Sequence, residues 1–454
     1  MKSIKRIFSV ALVLMGLGAS AQNTLPAIEK YKLKNGLEVV FSDYGNLPAT
    51  SMSFYVNTGK KNETPGQQFL AELTVNALQM GSEKYARLVQ DDLLHELGGQ
   101  FNVSTNDNYS KFTMTFPNEE SERALDLLSA ALLKPAFAES EVKQFVSEQL
   151  NYNNPSRMDI AGLTKMYGDF IVFGQAHPLG RHFYASQLNK ITTAQVKEFY
   201  KFNYTPKNTR LVIAGKPDKE KMKKLIEEYF GSWTAEFGEV NGSAYEVAPI
   251  NKQEFFFVNR PRATQAALRW YKKAPTAGAK DLVAFEITNY IFSNVLFDQI
   301  RGKEGKTYGI SSTFSESNNN GTYNVSTQVR NEVMYATLQS FDNVIKDFYD
   351  KGMSADQLAQ AKVTYKNSVL SMEHPSQMAD FINPWLYNDY NKRKEYLNEI
   401  DKLDIATVSK IIKKYFSPDA YKLIIAGDES KLEQQLQQVK GLTRIPLKTI
   451  EVDN

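Results

Sequence analysis

Four histidines, a Gly-Lys-Thr triplet and no cysteine bound the catalytic chemistry available to this 454-residue chain. His95-Glu96 has the beginning of a helical zinc motif, in which two imidazoles one turn apart share a face and bind one ion. The second histidine would fall at position 99, which is Gly99. No two of His95, His177, His182 and His374 have the i, i+4 spacing that would let a single helix hold a metal. His177 and His182 flank Pro178 and Gly180, and His374 precedes Pro375, so all three read as turn residues with structural roles. Gly305-Lys306-Thr307 resembles the end of a phosphate-binding loop, but the motif needs a glycine five positions earlier, where Ile300 stands. Without cysteine there is no thiolate nucleophile, thiolate metal site, disulfide or acylated lipoprotein cysteine.

The elements that carry these residues repeat. Val196-Lys197-Glu198-Phe199-Tyr200, Tyr204-Thr205-Pro206 and Leu211-Val212-Ile213-Ala214-Gly215 return as Val408-Ser409-Lys410-Ile411-Ile412, Phe416-Ser417-Pro418 and Leu423-Ile424-Ile425-Ala426-Gly427. Each matched position lies 212 residues after its counterpart, as Val408 does after Val196. Both copies read as a helix, a proline-bounded turn and a buried strand ending at glycine, and the constant offset favours a duplication over two unrelated units. Alternating stretches such as 37–41 and 111–116 read as strands, and the 3.6-period stretches 124–133 and 333–349 read as helices. The expected fold is α+β: two homologous halves, each a mainly antiparallel sheet with helices packed on one side, together a clam-shell or half of one. Boundaries follow at 22–235 and 251–454, with a linker at 236–250 where periodicity stops.

Composition fits a compact exported protein. Apolar residues make up 42% and charged residues 23%, inside the globular range. The 54 basic and 51 acidic residues nearly cancel, which argues against nucleic-acid binding, and no basic amphipathic run marks a membrane surface. Lys2, Lys5 and Arg6, the apolar stretch from Ile7 to Leu17, and Ala19-Ser20-Ala21 form a secretory signal, expected to be cleaved after Ala21. The stretch is shorter than the roughly 20 residues that span a bilayer, so the expected location is periplasmic or extracellular, without membrane insertion.

Together the duplication, the signal and two further segments resemble the pitrilysin/insulinase family of zinc peptidases over nearly the whole mature chain. Family members carry His-x-x-Glu-His on a helix of the first half, where two histidines bind zinc and the glutamate acts as general base. The matching stretch is Phe69 to Leu78, ending at Met80-Gly81-Ser82. Aligned on Gly81, it places Glu72 and Asn76 at the histidine positions and Val75 at the general-base position. Glu148, on a second helix, matches the third ligand and reads as a leftover surface glutamate. No zinc is therefore expected in this chain, and Glu72, Asn76 and Gln79 read as the polar face of a helix packed through Phe69, Leu73, Ala77 and Met80.

In the second half, Phe297 to Gly309 resembles the family's Arg…Gly-x-x-Tyr segment, with Arg301 and Tyr308 both present. The resemblance implies that these two donors hold substrate and stabilise the tetrahedral intermediate at a zinc site across a cleft. Gly98 to Thr105 is similar to the edge strand on which family members lay the substrate backbone, which makes Gly99, Asn102, Val103 and Ser104 candidate peptide contacts. The function so implied is that of a non-catalytic subunit of an exported heteromeric zinc peptidase. The partner, in a heterodimer or heterotetramer, is a homologous chain that carries the zinc, and the substrate is a peptide. The alternative is a stand-alone peptide-binding or scaffold protein without proteolytic role.

Overall fold

The structure is a computed structural model. It describes residues 27–45, 47–64, 67–152, 157–181, 188–234, 247, 249–276, 279–314, 321–370, 374–382 and 390–446. The signal segment 1–21, most of the linker and His182 lie outside the described residues.

Two six-stranded mixed sheets dominate. The first contains β1 (Ile28–Lys32), β2 (Glu38–Asp43), β3 (Ala49–Val56), β4 (Phe101–Thr105), β5 (Ser110–Pro117) and β6 (Thr209–Gly215), in the order β1-β2-β6-β3-β5-β4. The second contains β7 (Gln253–Asn259), β8 (Gln265–Lys273), β9 (Thr307–Phe314), β10 (Thr322–Arg330), β11 (Tyr421–Gly427) and β12 (Leu442–Ile445), in the order β12-β7-β11-β8-β10-β9. Apart from the parallel pairs β2–β6, β7–β11 and β7–β12, neighbouring strands run antiparallel.

Helices of the first half are α1 (Leu70–Ala77), α2 (Arg87–Glu96), α3 (Ser121–Leu133), α4 (Glu139–Tyr152), α5 (Ile160–Phe173), α6 (Thr193–Asn203) and α7 (Lys219–Phe230). Those of the second are α8 (Leu282–Leu296), α9 (Met334–Lys351), α10 (Ala355–Leu370), α11 (Pro375–Phe381), α12 (Tyr390–Lys402), α13 (Ile405–Tyr415) and α14 (Glu429–Leu436). The repeated sequence becomes α6 with β6 and α13 with β11, and the offset is kept at every boundary, 193 against 405 and 209 against 421. Side-chain pairing repeats as well. Arg210 on β6 binds Glu38 on β2 at 3.0 Å, and at the matching register Lys422 on β11 binds Glu254 on β7 at 3.2 Å.

One face of each sheet packs on its own half's helices. In β5, Phe112, Met114 and Phe116 alternate into that core, which also takes α3 and α7 through Leu128 and Ile226. The opposite face receives a helix from the other half. On the second sheet, Ile160, Leu163 and Tyr167 of α5 pack against Val258, Ala267, Tyr271 and Ile424. On the first sheet, Met378, Ala379 and Phe381 of α11 pack against Val40, Tyr55, Val212 and Ala214. Each helix is also fastened by the same bond. Tyr271 donates its hydroxyl to Asp169 of α5 at 2.8 Å, and Tyr55, at the matching register of β3, donates to Asp380 of α11 at 2.6 Å. Gly168 lets α5 approach this closely, since a Cβ there would lie 2.2 Å from the Tyr271 ring.

Helix α1 begins after Phe69, whose left-handed backbone (φ 72°) provides no side-chain cap. The buried carboxylate of Glu63 does so instead, accepting the Ala71 N–H at 3.0 Å. Burial raises the Glu63 carboxyl to about 7, against the opposing effects of the Ala71 N–H, Lys60 and Arg181.

Two stability predictions follow from these contacts. Tyr271→Phe should cost about 1.5–3 kcal/mol in calorimetric unfolding, because it removes a hydrogen bond to a largely buried carboxylate whose other partner, Lys165, is mostly exposed. Tyr55→Phe should cost less, since Asp380 is half-exposed and keeps Lys111 at 2.6 Å. Equal losses would show that the matching bonds are not governed by burial. For Glu63 the folded value lies above the unfolded one, so the native state retains a proton that the unfolded chain releases between about pH 4.5 and about 7. Stability contributed by Glu63 thus falls as pH rises through that window, by on the order of 3 kcal/mol at most. Urea midpoints at pH 5 and pH 8 should differ less in Glu63→Gln than in the parent; an unchanged difference would refute the assignment.

Candidate functional site

The helix that aligns with the zinc motif is well ordered by packing and badly equipped for a metal. Val75, at the general-base position, is only 1% exposed and belongs to the first core. Leu73 and Ala77 are buried, with Phe69 and Met80 half-buried beside them, as an amphipathic helix requires. Leu70, Ala71 and Thr74 are buried too, because α1 is wedged between two apolar clusters. The polar strip that remains is occupied with itself: the Asn76 amide donates to the Glu72 carbonyl at 2.8 Å, and its oxygen accepts from Gln79 at 3.1 Å. Glu148 is exposed on α4 and accepts from Gln144 at 2.9 Å.

This donor set does not fit zinc. A carboxylate and an amide, with no imidazole or thiolate, favour harder ions, and among the described residues no group of three or more His, Cys, Asp or Glu could hold a metal. The other described histidines stand apart from it. His177 is buried, stacks on Phe173 at 5.0 Å and accepts the Leu179 N–H at 3.1 Å. Its imidazole is held down to about 4 by burial and Arg181, and so stays neutral. His374 precedes α11, where its backbone N–H donates to Gln377 at 3.0 Å. His95 ends α2, exposed.

Strand β4 is the edge of the first sheet, paired with β5 on one side only. Its free side offers main-chain donors and acceptors next to α1, which packs against it. Asn102 and Ser104 point outward and are exposed, whereas Val103 turns toward the core, so only its backbone is available. Gly99 precedes the strand, where a Cβ would come within 2.9 Å of Met114.

The Arg301–Tyr308 segment occupies the matching edge of the second sheet. Helix α8 runs into a π-helical turn, Phe297–Lys303, that carries Arg301 on its outside, and β9 starts four residues after that turn. A polar knot underneath fixes the connection: Glu304 accepts from Gln299 at 2.9 Å and Ser340 at 2.6 Å and pairs with Lys306 at 2.7 Å. Burial would raise the Glu304 carboxyl, but Lys306, Ser340 and Gln299 outweigh it and hold it below its usual value.

Where β9 meets β10 the register slips, so that Tyr308 and Gly309 together face Gln328. This is a β-bulge, and it is clamped from beneath. Thr307 Oγ1 accepts the Gly309 N–H at 3.1 Å and lies 2.8 Å from both the Gln328 carbonyl and Thr327 Oγ1. The extra residue sends Tyr308 into solvent, 87% exposed. Among the described residues neither Arg301 nor Tyr308 has a hydrogen-bond or ion-pair partner, so a guanidinium and a phenol are both presented uncommitted. The sequence points to both residues as candidates but not to the bulge, whose local signal is Gly309 inside a strand pattern.

Comparison with known proteins gives this geometry a family. A model described as insulinase (peptidase family M16) matches residues 39–159, and one described as the peptidase M16 inactive domain matches residues 190–365. A zinc protease of Bacillus subtilis, YmxG, is 22% identical over 86% of this chain and 96% of its own length. Subunit alpha-2 of the mitochondrial-processing peptidase of Dictyostelium discoideum is 24% identical over 90% of this chain and 94% of its own. Among solved structures, a protease from Helicobacter pylori superposes with a TM-score of 0.79 at 16% identity, covering 89% of this chain and all of that one. The periplasmic protease PqqL of Escherichia coli superposes with a TM-score of 0.74 at 15% identity, covering 94% of this chain and 49% of that one. With two matching family models spread over both halves and the fold reproduced, the chain belongs to the M16 (pitrilysin/insulinase) family of peptidases.

Proposed function

We propose that this chain is the non-catalytic subunit of an exported two-chain zinc peptidase and that a homologous partner carries the metal and its general base. The observation that carries the reading is the contrast between the two edges: α1 has a buried valine and self-bonded amides where catalysis needs donors, while Arg301 and Tyr308 stand unpaired on a braced turn and a clamped bulge. Guanidinium and phenol donate hydrogen bonds to a peptide carbonyl oxygen as it gains negative charge, which lowers the barrier most where water is excluded. The free edge of β4, with Gly99, Asn102, Val103 and Ser104, takes the peptide backbone as an added strand. A relative whose name marks it as one subunit of a processing peptidase agrees with divided labour, and the periplasmic location of PqqL agrees with the N-terminal signal.

The test is cleavage of a peptide library by this chain, by a zinc-bearing homologue exported from the same cell, and by their mixture. Only the mixture should be efficient. Tyr308→Phe and Arg301→Ala should each lower its kcat on the order of 100-fold while the two chains still associate. A mixture no faster than the zinc-bearing chain alone would reject the proposal and leave a peptide-binding or scaffold protein.

A further inference from the structure

A cavity of about 380 Å³ opens beside Tyr308, between the first turns of α5 and the outer face of the second sheet. Its size is at the lower end of ordinary ligand sites, which run from roughly 300 to 1,000 Å³. The lining is polar and small: Thr164, Ser326, Gln328 and the Gly309 backbone, with Arg269 of β8 at the base. Arg269 is the one charged side chain among the described lining residues, and no carboxylate faces the space.

Arg269 is incompletely satisfied. One terminal nitrogen donates to Asn324 Oδ1 at 2.5 Å, but its Nε–H is buried without a hydrogen-bond partner, and among the described residues the guanidinium makes no ion pair. Asp169, which like Arg269 acts on Tyr271, is already engaged by Lys165 at 2.5 Å and by the Tyr271 hydroxyl at 2.8 Å. The N-terminus of α5 adds little positive field, because Asp159 caps it by accepting the Gly162 N–H. A permanent cation half-sunk among hydroxyls and amides, with no ion pair among the described residues, favours an anionic ligand group over a neutral one. A carboxylate in the cavity neutralises the charge and accepts from the second terminal nitrogen, which makes no hydrogen bond among the described residues; a neutral ligand can do only the second.

We infer that this cavity is a specificity subsite that takes a carboxylate of the bound peptide, either an acidic side chain or the C-terminal carboxylate, on Arg269. The inference rests on the peptide-handling function proposed above and names the peptides that function would prefer. Tyr308 and Gly309 line the same space, so a peptide held there lies against the edge that presents the phenol.

Binding to the isolated full chain tests it without the partner. Three N-terminally labelled short peptides of otherwise identical sequence are compared by fluorescence anisotropy: one with a free C-terminus, one amidated, and one amidated with an internal glutamate. The amidated neutral peptide should bind about 10- to 100-fold more weakly than whichever carboxylate peptide the cavity uses, and which one retains affinity tells side chain from terminus. Arg269→Met should erase the difference. Ser311→Phe, an exposed substitution that fills the cavity from its rim and leaves Arg269 in place, should do the same if Arg269→Met proves unstable. Equal binding of all three peptides, unaffected by either variant, overturns the subsite but leaves peptide handling intact. No binding of any peptide overturns both.

Discussion

The exchange of helices between halves is the constraint on which the rest of this molecule depends. A sheet whose two faces are both apolar cannot leave either to water, and each half supplies helices enough for only one. The second face of each sheet is covered by α5 or α11 from the other half. Burying Met378, Phe381, Leu163 and Tyr167 contributes on the order of 1.5–3 kcal/mol apiece, more in sum than the two tyrosine–aspartate bonds that accompany them. Apolar packing therefore joins the halves, and the hydrogen bonds set the register. Neither half is a complete layered domain without the other.

That arrangement decides where function can sit. Covering helices occupy the inner strands of each sheet, so α11 lies over β3 and β6 and α5 over β8 and β11. The outer strands β4 and β9 are left with one free edge and an open, hydroxyl-rich face. Two equivalent edges result, one beside α1 and one beside the Arg301 turn. The candidate peptide contacts and the Arg301–Tyr308 pair fall on these uncovered parts, and the cavity over Arg269 opens where α5 stops short of β9 and β10.

Much of this was legible in the sequence, and the boundary of legibility has physical causes. The repeat of Leu211–Gly215 at Leu423–Gly427 announced the duplication because a central buried strand tolerates few side chains. Val75 could be read as a lost base because valine has no proton chemistry in any fold. The partner of α5 was not legible: Ile160, Leu163 and Tyr167 show a buried face but carry no mark of which sheet buries it. Arg269 escaped for a related reason. Within Ala-Ala-Leu-Arg-Trp-Tyr it looks like an outward residue of a strand, and only the assembled seam with α5 shows a cavity above it. The bulge at Tyr308–Gly309 depends on the register against β10, a long-range property that periodicity does not encode.

Stability alone does not explain the unequal fates of the two edges. In the first half, Val75 stands at the general-base position and the Asn76 and Gln79 amides bond within their own helix, which leaves few idle polar groups on a half-buried helix, an arrangement that packing favours. Drift toward stability would treat the second half the same way. Yet Arg301 and an 87% exposed Tyr308 bury no surface of consequence and bond to nothing described, while Glu304, Lys306, Ser340, Thr307 and Thr327 are spent on holding their turn and bulge in shape. A braced scaffold beneath two idle donors has no use within the folded chain. On the function proposed above, its use lies in what docks against that edge, where an unpaired guanidinium and an unpaired phenol suit a carbonyl oxygen that becomes negative during reaction.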